Sequence, residues 1–289
     1  MKHAASTTCL LVLAACPPGT PPADKPSPPA DAPAPMVDAT PSDVLGPPWQ
    51  LIWRDEFDGA ENTRPDPTKW RHDVGGDGWG NAQLEFDTDR VENASLDGQG
   101  RLRIVARRES YGGRNYTSAR INTAGKLGRA YGRFEARIKL PRGQGIWPAF
   151  WALGANLGNV GWPGCGEIDI MEHRGQQVRH LRGSLHGPGY SGGGNVGKEI
   201  DTGVDLSQAF HTFAIEWDPG RVIFKLDEDA YFTATPADLP QGTTWVYDHP
   251  FFIILNVAVG GTYVGNPDGT TTFPQTMLVD HVRVYERMQ

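Results

Sequence analysis

The sequence is poor in cysteine: it has three among 289 residues, and only Cys165 lies in the part that we expect to fold. One thiol excludes a disulfide within that domain, and with it the class of small secreted proteins held together by disulfides. No segment sustains the apolar period of about 3.6 residues that marks an amphipathic helix, so we expect little helix. A surplus of positive charge is also missing. The net charge of −7 argues against nucleic acid or an anionic membrane surface as a partner.

Motifs of several enzyme classes are missing as well. The histidines at 173, 180, 186 and 211 lack His-Glu-x-x-His spacing, which argues against that kind of zinc site. The sequence has no phosphate-binding loop, no dinucleotide fingerprint and no Gly-x-Ser-x-Gly elbow of the serine hydrolases. Cys165 has no histidine and asparagine context that would make it a nucleophile, so we interpret it as a small buried thiol.

The first 48 residues have the composition of a targeting segment followed by a tether. A short apolar run after Lys2 ends in Leu13-Ala14-Ala15-Cys16, which resembles the end of a bacterial lipoprotein signal. The resemblance implies a signal peptide over residues 1–15 and a lipid on Cys16; an ordinary secretory signal is the alternative. Residues 16–48 are rich in proline and predict a semi-rigid linker. We expect an exported protein that touches the membrane only through this lipid and faces the periplasm or the cell surface.

Residues 49–289 are interpreted as one all-β domain. They carry many short segments in which apolar and polar side chains alternate, separated by turns, which is typical of a β-sandwich or barrel. Residues 213–218 and 222–227 predict a strand pair joined at Pro219-Gly220, and the apolar run 251–259 fits a buried strand. About 240 residues are enough for one such domain with a substantial core.

Residues 166–173, with the sequence GEIDIMEH, alternate acidic and apolar side chains. In an extended strand Glu167 and Asp169 share one face, while the two isoleucines share the other face, which we assign to the core. Glu172 breaks the alternation and would point into the core, where an unpaired carboxylate is very costly. One extra residue at 170 or 171, a β-bulge, returns Glu172 to the acidic face.

Three ionised carboxyl groups on one face repel one another. This repulsion does not help a strand whose role is only structural. Hydrolysis of glycosides needs one ionised carboxylate and one protonated carboxylic acid close together. Two glutamates that lean together can approach the roughly 5–5.5 Å that retention of configuration requires. Asp169 between them can hold a hydrogen bond to one glutamate and raise the pKa of the other through its charge. A solvated edge strand with three surface acids is the alternative.

The GEIDIME motif resembles the active-site signature of glycoside hydrolase family 16 in its bulged, laminarinase-like form. Residues 131–141 (YGRFEARIKLP) and 145–154 (GIWPAFWALG) resemble segments that precede this strand in bacterial β-1,3-glucanases. Residues 255–261 (LNVAVGG) and 279–285 (VDHVRVY) resemble the last strands of the family. The resemblance implies a β-jelly-roll sandwich, similar to concanavalin A, with a concave substrate cleft over residues 49–289.

The resemblance also implies a role for each acid: Glu167 the nucleophile, Glu172 the acid/base, and Asp169 a helper of Glu167. The implied reaction is the endo-hydrolysis of internal β-1,3-glucosidic bonds in laminarin-type β-glucans by double displacement. Mixed-linkage β-glucan and galactans of the agar or carrageenan type are alternative substrates, although the low positive charge argues against sulfated polymers. A non-catalytic glucan-binding lipoprotein on the same sandwich is a further alternative, but related binding proteins typically lack the catalytic acids.

Seven residues are predicted to contact the sugar chain: Asn81, Arg120, Trp147, Trp151, Trp162, His186 and Asn256. Asn81 and Arg120 are implied by the resemblance, and a surface salt bridge is the alternative for Arg120. A period of two puts Trp147 and Trp151 on one strand face, where indole rings can stack on sugars; two core tryptophans are the alternative. Trp162 precedes the acidic strand in a Gly-Trp-Pro-Gly loop and is expected at the rim of the cleft. Asn256 is a polar residue in an apolar strand and needs a partner, which substrate or backbone could supply.

No cofactor is required for this chemistry. Many members of the family bind one structural Ca²⁺, and the resemblance places its ligands at Glu56, at the backbone near Gly100 and at Asp280, whose oxygens suit calcium. The family often has a tryptophan after the last Gly-Gly, where this chain has Thr262 and Tyr263, which leaves the subsite lined by this residue open. We expect a monomer whose partner is a β-glucan.

Overall fold

The computed structural model describes residues 48–288 of the chain. The structure contains 47% strand and 4% helix, which confirms the predicted all-β class. Among the described residues, helices are too short or too polar to reach across a membrane. The predicted signal peptide, Cys16 and nearly all of the linker lie outside the described residues and stay predictions.

The strands, in chain order, are β1 (Trp49–Asp55), β2 (Arg71–Asp73), β3 (Glu85–Asp87), β4 (Ala94–Leu96), β5 (Leu102–Ala106), β6 (Tyr116–Ser118), β7 (Arg120–Asn122), β8 (Gly132–Lys139), β9 (Ile146–Gly154), β10 (Glu167–Glu172), β11 (His180–His186), β12 (Val196–Asp201), β13 (His211–Asp218), β14 (Arg221–Leu226), β15 (Asp229–Ala234), β16 (Phe251–Val259) and β17 (Gln275–Arg287). One short helix, α1 (Leu157–Val160), and two 3-10 turns, Gly192–Gly194 and Pro236–Asp238, complete the regular structure.

Two large sheets form the layers of a jelly-roll sandwich. The first has eight strands in the order β15-β14-β13-β8-β17-β5-β4, with β1 also paired to β17. The second has seven strands in the order β12-β11-β10-β9-β16-β7-β2, and β3 pairs with β6 in a small parallel sheet. The acidic strand β10 therefore lies inside the second sheet between two long antiparallel neighbours, and not at an edge.

The core between the sheets is built from the apolar alternates of their strands. Phe134 on β8, Ile168 on β10 and Leu255 on β16 are all fully buried in one continuous cluster. The hairpin predicted at Pro219-Gly220 is confirmed, since β13 and β14 pair with Asp218 opposite Arg221. The predicted buried strand over residues 251–259 is confirmed as β16, and it fills the centre of the second sheet.

The placement of Ile168 in this core makes a stability prediction. Ile168→Ala removes a fully buried side chain, and we expect it to lower the free energy of unfolding by about 2–5 kcal/mol, measured by urea denaturation. Val204→Ala is the control, because Val204 is 49% exposed and we expect its truncation to change stability by less than about 0.5 kcal/mol. Equal effects of the two substitutions would contradict the assignment of the isoleucine face to the core.

Candidate active site

The register of β10 contains the irregularity that the sequence predicts. Against β11, Asp169 lies opposite Ser184 and Glu172 lies opposite Arg182, so three steps along β10 match two steps along β11. Against β9 the register shifts between Asp169 and Met171. The extra residue is at position 170, which confirms the predicted β-bulge.

The bulge sorts the side chains of β10 onto two faces. Ile168, Ile170 and Met171 are fully buried in the core. Glu167 and Glu172 are half-buried, and each makes polar contacts with side chains of neighbouring segments on the opposite face. Three acidic side chains therefore converge over the second sheet.

Two residues of β11 connect the three acids. The Ser184 hydroxyl donates a hydrogen bond to Asp169 Oδ2 at 2.7 Å and lies 3.5 Å from Glu172 Oε2. His186 Nε2 lies 3.0 Å from Asp169 Oδ2 and 3.8 Å from Glu167 Oε1. Ser184 and His186 both contact Oδ2 of Asp169, because β11 runs beside β10 in register with it, and the expected hydrogen bond between Asp169 and one glutamate stays a prediction. The sequence did not indicate a role for Ser184, because that role depends on the pairing of β10 with β11.

Each glutamate accepts a hydrogen bond from one tryptophan. The Trp147 indole N–H donates to Glu172 Oε1 at 3.1 Å, and the Trp162 indole N–H donates to Glu167 Oε2 at 3.0 Å. Trp162 is 49% exposed, as expected for a residue at the rim of a cleft. Trp162 presents an exposed aromatic surface beside Glu167, whereas Trp147 is buried and packs against Ala258 and Val264.

A second group of predicted residues lies one strand further across the sheet. The Trp151 indole N–H donates to Asn256 Oδ1 at 2.8 Å, so Asn256 finds its partner in a side chain rather than in the backbone. The Arg120 guanidinium lies over the rings of Trp151 and Trp79, at 4.7 Å and 4.6 Å from their centroids. Its Nε donates to Asp73 Oδ2 at 3.1 Å. Arg120 is therefore held in a stack, in which Trp79 and Asp73 are partners that the sequence did not identify.

Asn81 occupies an exposed turn at the edge of this group. Its backbone carbonyl accepts a hydrogen bond from Thr262 N–H at 2.9 Å, which ties the turn to the segment after β16. Asn81 comes two residues after Trp79, and within residues 48–288 its side chain makes no hydrogen bond to the acids or to Trp151.

Tyr263, whose role the sequence left open, forms a wall on the side of Glu172. Its ring lies 5.0 Å from the ring of Trp147, and the Arg174 guanidinium lies 4.2 Å from the Tyr263 centroid. Arg174 in turn donates to Glu199 Oε2 at 3.0 Å. The sequence could not indicate this arrangement, because Arg174 and Glu199 come from other segments of the chain.

The shared face changes the acidity of both glutamates. Burial raises the pKa of Glu167 to about 8, and the negative charge of Asp169 adds to the effect. Burial and then Asp169 raise the pKa of Glu172 to about 8 in the same way. Both shifts point in one direction: the cluster holds on to protons that isolated carboxyl groups would release. A site of this kind offers both a carboxylic acid and a carboxylate near neutral pH.

Glu167, Asp169 and His186 offer ligand atoms within 4.8 Å of one another. Two of these atoms already contact each other, since His186 Nε2 lies 3.0 Å from Asp169 Oδ2. These two groups therefore have a polar partner within the chain. The chemistry of two carboxyl groups in glycoside hydrolysis needs no metal ion. We therefore assign no metal to this cluster.

The two predicted acidic ligands of calcium are engaged by arginines. Both carboxylate oxygens of Glu56 accept hydrogen bonds from Arg283, at 2.8 and 2.9 Å. Asp280 Oδ2 accepts a hydrogen bond from Arg137 at 2.9 Å. These two side chains do not fit a calcium cage, because the arginines already neutralise them. An ion beside Gly100 would have to use backbone carbonyls, and this calcium site stays a prediction.

Comparison with known proteins agrees with this geometry. The sequence profile of the glycosyl hydrolases family 16 matches residues 78–281. A β-glucanase of Rhodothermus marinus is 43% identical over 250 residues, which span 83% of this chain and 86% of that protein. The laminarinase catalytic domain of Thermotoga maritima is 49% identical with a TM-score of 0.78, over 83% of this chain and 99% of that structure. An endo-β-1,3-glucanase of Pyrococcus furiosus is 44% identical with a TM-score of 0.79, over 83% and 95%.

The raised pKa of Glu172 predicts that this residue lowers stability at alkaline pH. In the folded chain the carboxyl keeps its proton up to a pKa of about 8, whereas the unfolded chain releases it near 4.5. The contribution of Glu172 to stability is therefore fully present below the pKa of the unfolded chain and is lost as pH rises towards the pKa of the folded chain. We expect Glu172→Gln to unfold at a higher temperature than the unmodified protein, with a difference that grows from pH 5 to pH 8. The gain should be several degrees, since one kcal/mol corresponds to about 2–4 °C in a chain of this size.

Differential scanning calorimetry across this pH range measures the effect. Glu92→Gln is the matched control, because Glu92 is exposed and its removal should leave the pH dependence of unfolding unchanged. If Glu172→Gln unfolded at the same or a lower temperature at pH 8, the pKa of Glu172 in the folded chain would not be raised.

Proposed function

The chain belongs to glycosyl hydrolase family 16, and on that premise we propose that it cleaves internal β-1,3-glucosidic bonds of laminarin-type β-glucans with retention of configuration. The observation that carries the proposal is the bulge of β10, which brings Glu167, Asp169 and Glu172 to one face between two tryptophans. The substrate is proposed from the relatives, since laminarinase and endo-β-1,3-glucanase structures share 44–49% of its residues.

The roles of the two glutamates rest on the family signature. Each glutamate accepts a hydrogen bond from an indole, Glu167 from Trp162 and Glu172 from Trp147. Their local contacts are therefore alike, and the position in the motif assigns Glu172 as the acid that keeps the proton and Glu167 as the nucleophile.

In the first step the Glu167 carboxylate attacks the anomeric carbon, and the bond from that carbon to the glycosidic oxygen breaks. Glu172 gives its proton to the departing oxygen, so the leaving sugar takes the bonding electron pair as a neutral alcohol. The transition state resembles an oxocarbenium ion and places positive charge on the sugar beside Glu167 and Asp169. Asp169 is fixed by Ser184 and His186, so its charge has a defined position.

In the second step a water molecule replaces the departed sugar. Glu172, now ionised, takes a proton from this water, and the oxygen attacks the anomeric carbon of the glycosyl-enzyme. The bond to Glu167 breaks and its carboxylate is restored. Two inversions at one carbon give net retention, and no cofactor takes part.

The aromatic surfaces beside the acids support the binding of a long sugar chain. Trp162 forms the rim beside Glu167, and Trp151 with the stacked Arg120 continues the surface towards β7. Indole and guanidinium planes of this kind suit the C–H faces of glucose rings. Asn81 lies at the edge of this surface, where it would reach only a longer oligosaccharide.

We also propose that the enzyme is exported and held at a membrane by a lipid on Cys16, with residues 16–48 as the tether. The support is the order of the sequence: an apolar run, Leu13-Ala14-Ala15-Cys16, and then a proline-rich segment before the sandwich begins. The chain would act as a monomer facing the periplasm or the cell surface.

Product analysis on defined polysaccharides tests the activity. We expect the purified protein to release short β-1,3-oligosaccharides from laminarin, and Glu167→Ala to lose at least about 10²–10⁴-fold in rate while its thermal unfolding stays unchanged or improves. Lichenan, agarose and carrageenan serve as parallel substrates. Release from one of these alone would overturn the substrate, and a folded, fully active Glu167→Ala would overturn the site. Binding of laminarin without cleavage of any polymer would favour a glucan-binding protein.

Rescue by azide with an activated aryl β-1,3-glucoside separates the roles of the glutamates. In Glu167→Ala the small anion fills the space of the missing carboxylate and attacks once, which gives the α-glycosyl azide. In Glu172→Ala it attacks the glycosyl-enzyme in place of water, which gives the β-glycosyl azide. The opposite assignment of anomers would exchange the roles of the two residues.

The lipid anchor is tested on the full chain in a bacterial host. We expect the protein to fractionate with membranes and to incorporate labelled fatty acid, and Cys16→Ser to abolish the label and to release the protein from the membrane fraction. Cys9→Ser is the matched control, because that cysteine lies inside the apolar run of the signal. Labelling that persists in Cys16→Ser would contradict the proposal and leave an ordinary secretory signal.

A further inference from the structure

The two ring nitrogens of His186 face groups of opposite hydrogen-bonding character. Nε2 lies 3.0 Å from the Asp169 carboxylate, which in its ionised form can only accept a hydrogen bond. Nδ1 accepts a hydrogen bond from the backbone N–H of Gly192 at 3.0 Å. A backbone amide can only donate, so Nδ1 must present a lone pair. The ring then carries its one proton on Nε2 and is neutral.

The negative charges of the acidic cluster oppose this neutral form, because they favour a protonated His186. Burial of His186 disfavours its charged form, but the charge and hydrogen bond of Asp169, with Glu167 and Glu172, outweigh burial and raise its pKa to about 9. Protonation of Nδ1, however, would point its N–H at the Gly192 N–H across 3.0 Å. The Ser184 hydroxyl also lies 3.5 Å from Nε2, and the Tyr247 hydroxyl donates to the His186 backbone carbonyl. The Gly192 amide is therefore the group that opposes the imidazolium.

Resting on the proposed hydrolysis, we propose that the Gly192 amide is a positioning group: it keeps His186 neutral, with its proton on Nε2, and so reserves the shared proton of the cluster for Glu172. A cationic His186 would favour ionisation of Glu172 and thereby remove the general acid. A neutral His186 still donates from Nε2 to Asp169, so the aspartate stays fixed. The glycine-rich loop, which we define as residues 187–195, thus sets the charge state of the catalytic face.

The loop is braced so that the Gly192 amide stays in place. The Asn195 side-chain amide donates to the Gly192 carbonyl at 2.8 Å, and Asn195 Oδ1 accepts a hydrogen bond from Arg182 of β11. At its other end the loop is anchored by Tyr190, which is fully buried and donates to the Thr244 carbonyl. Between these anchors the Gly192–Gly194 turn is exposed. Asn195 contacts no acid of the cluster itself, but its partner Arg182 lies opposite Glu172 and its charge lowers the pKa of Glu172, so the state of the His186 ring must be measured together with the pH profile.

Nitrogen-15 NMR of the histidine rings tests the inference independently of activity. In the unmodified protein we expect His186 to show one bare and one protonated nitrogen from pH 5.5 to pH 8, with the proton on Nε2. In Asn195→Ala the side-chain hydrogen bond that braces Gly192 is lost and only the weaker backbone bond at 3.3 Å remains, so we expect an imidazolium to appear in this range. The alkaline limb of kcat/KM on laminarin should then move to lower pH by about 0.5–1 unit, because Glu172 ionises earlier.

Gly193→Ala is the matched control within the same loop. A side chain at this position meets nothing within 4 Å, so we expect neither the ring nitrogens nor the pH profile to change. A doubly protonated His186 at pH 7 in the unmodified protein would overturn the inference. So would an Asn195→Ala variant with an unchanged ring, or one whose His186 gains a proton while the alkaline limb stays in place. If no polysaccharide were cleaved, the proposed function would fail, and the NMR result would still decide the state of His186.

Discussion

Three carboxyl groups crowded onto one face of β10 are the constraint on which the rest of the site depends. Without the extra residue at 170, Glu172 would point into the core among Ile168 and its neighbours, where a carboxylate has no partner. With it, the repulsion moves to the surface of the sheet, where burial and like charge raise the pKa of both glutamates to about 8. The local irregularity of one strand thus creates the paired acid and base that hydrolysis uses.

The surrounding strands make this crowding tolerable. From β9 come two indole N–H groups, of which Trp147 serves Glu172; from β11 come Ser184 and His186, which fix Asp169. The indole and hydroxyl donors carry no charge. The proposed role of the Gly192 amide agrees with this, because an imidazolium at His186 would favour ionisation of Glu172, which must keep its proton to act as an acid.

The sequence predicted what short-range periodicity and chemistry determine. Alternation in residues 166–173 and the cost of burying Glu172 were enough for the strand, its two faces and the bulge, and the same reasoning located β16 and the turn at Pro219-Gly220. Contacts between distant segments were missed: Ser184 on Asp169, Trp79 and Asp73 around Arg120, and Arg174 on Tyr263. These contacts depend on which distant segments lie next to each other in the sheet, and the pattern of one segment does not show its partner.

The stereochemistry of the first product tests most directly whether the crowded face works as a nucleophile and an acid. Proton NMR of laminarin hydrolysis in its first minutes should show the β-anomer of the new reducing end, followed by slow mutarotation to the α-anomer. Retention requires the Glu167 and Glu172 carboxyl groups to act on one bond from about 5–5.5 Å apart. An α-anomer formed first would mean direct attack by water between more distant acids, and it would contradict the roles assigned to the bulged strand.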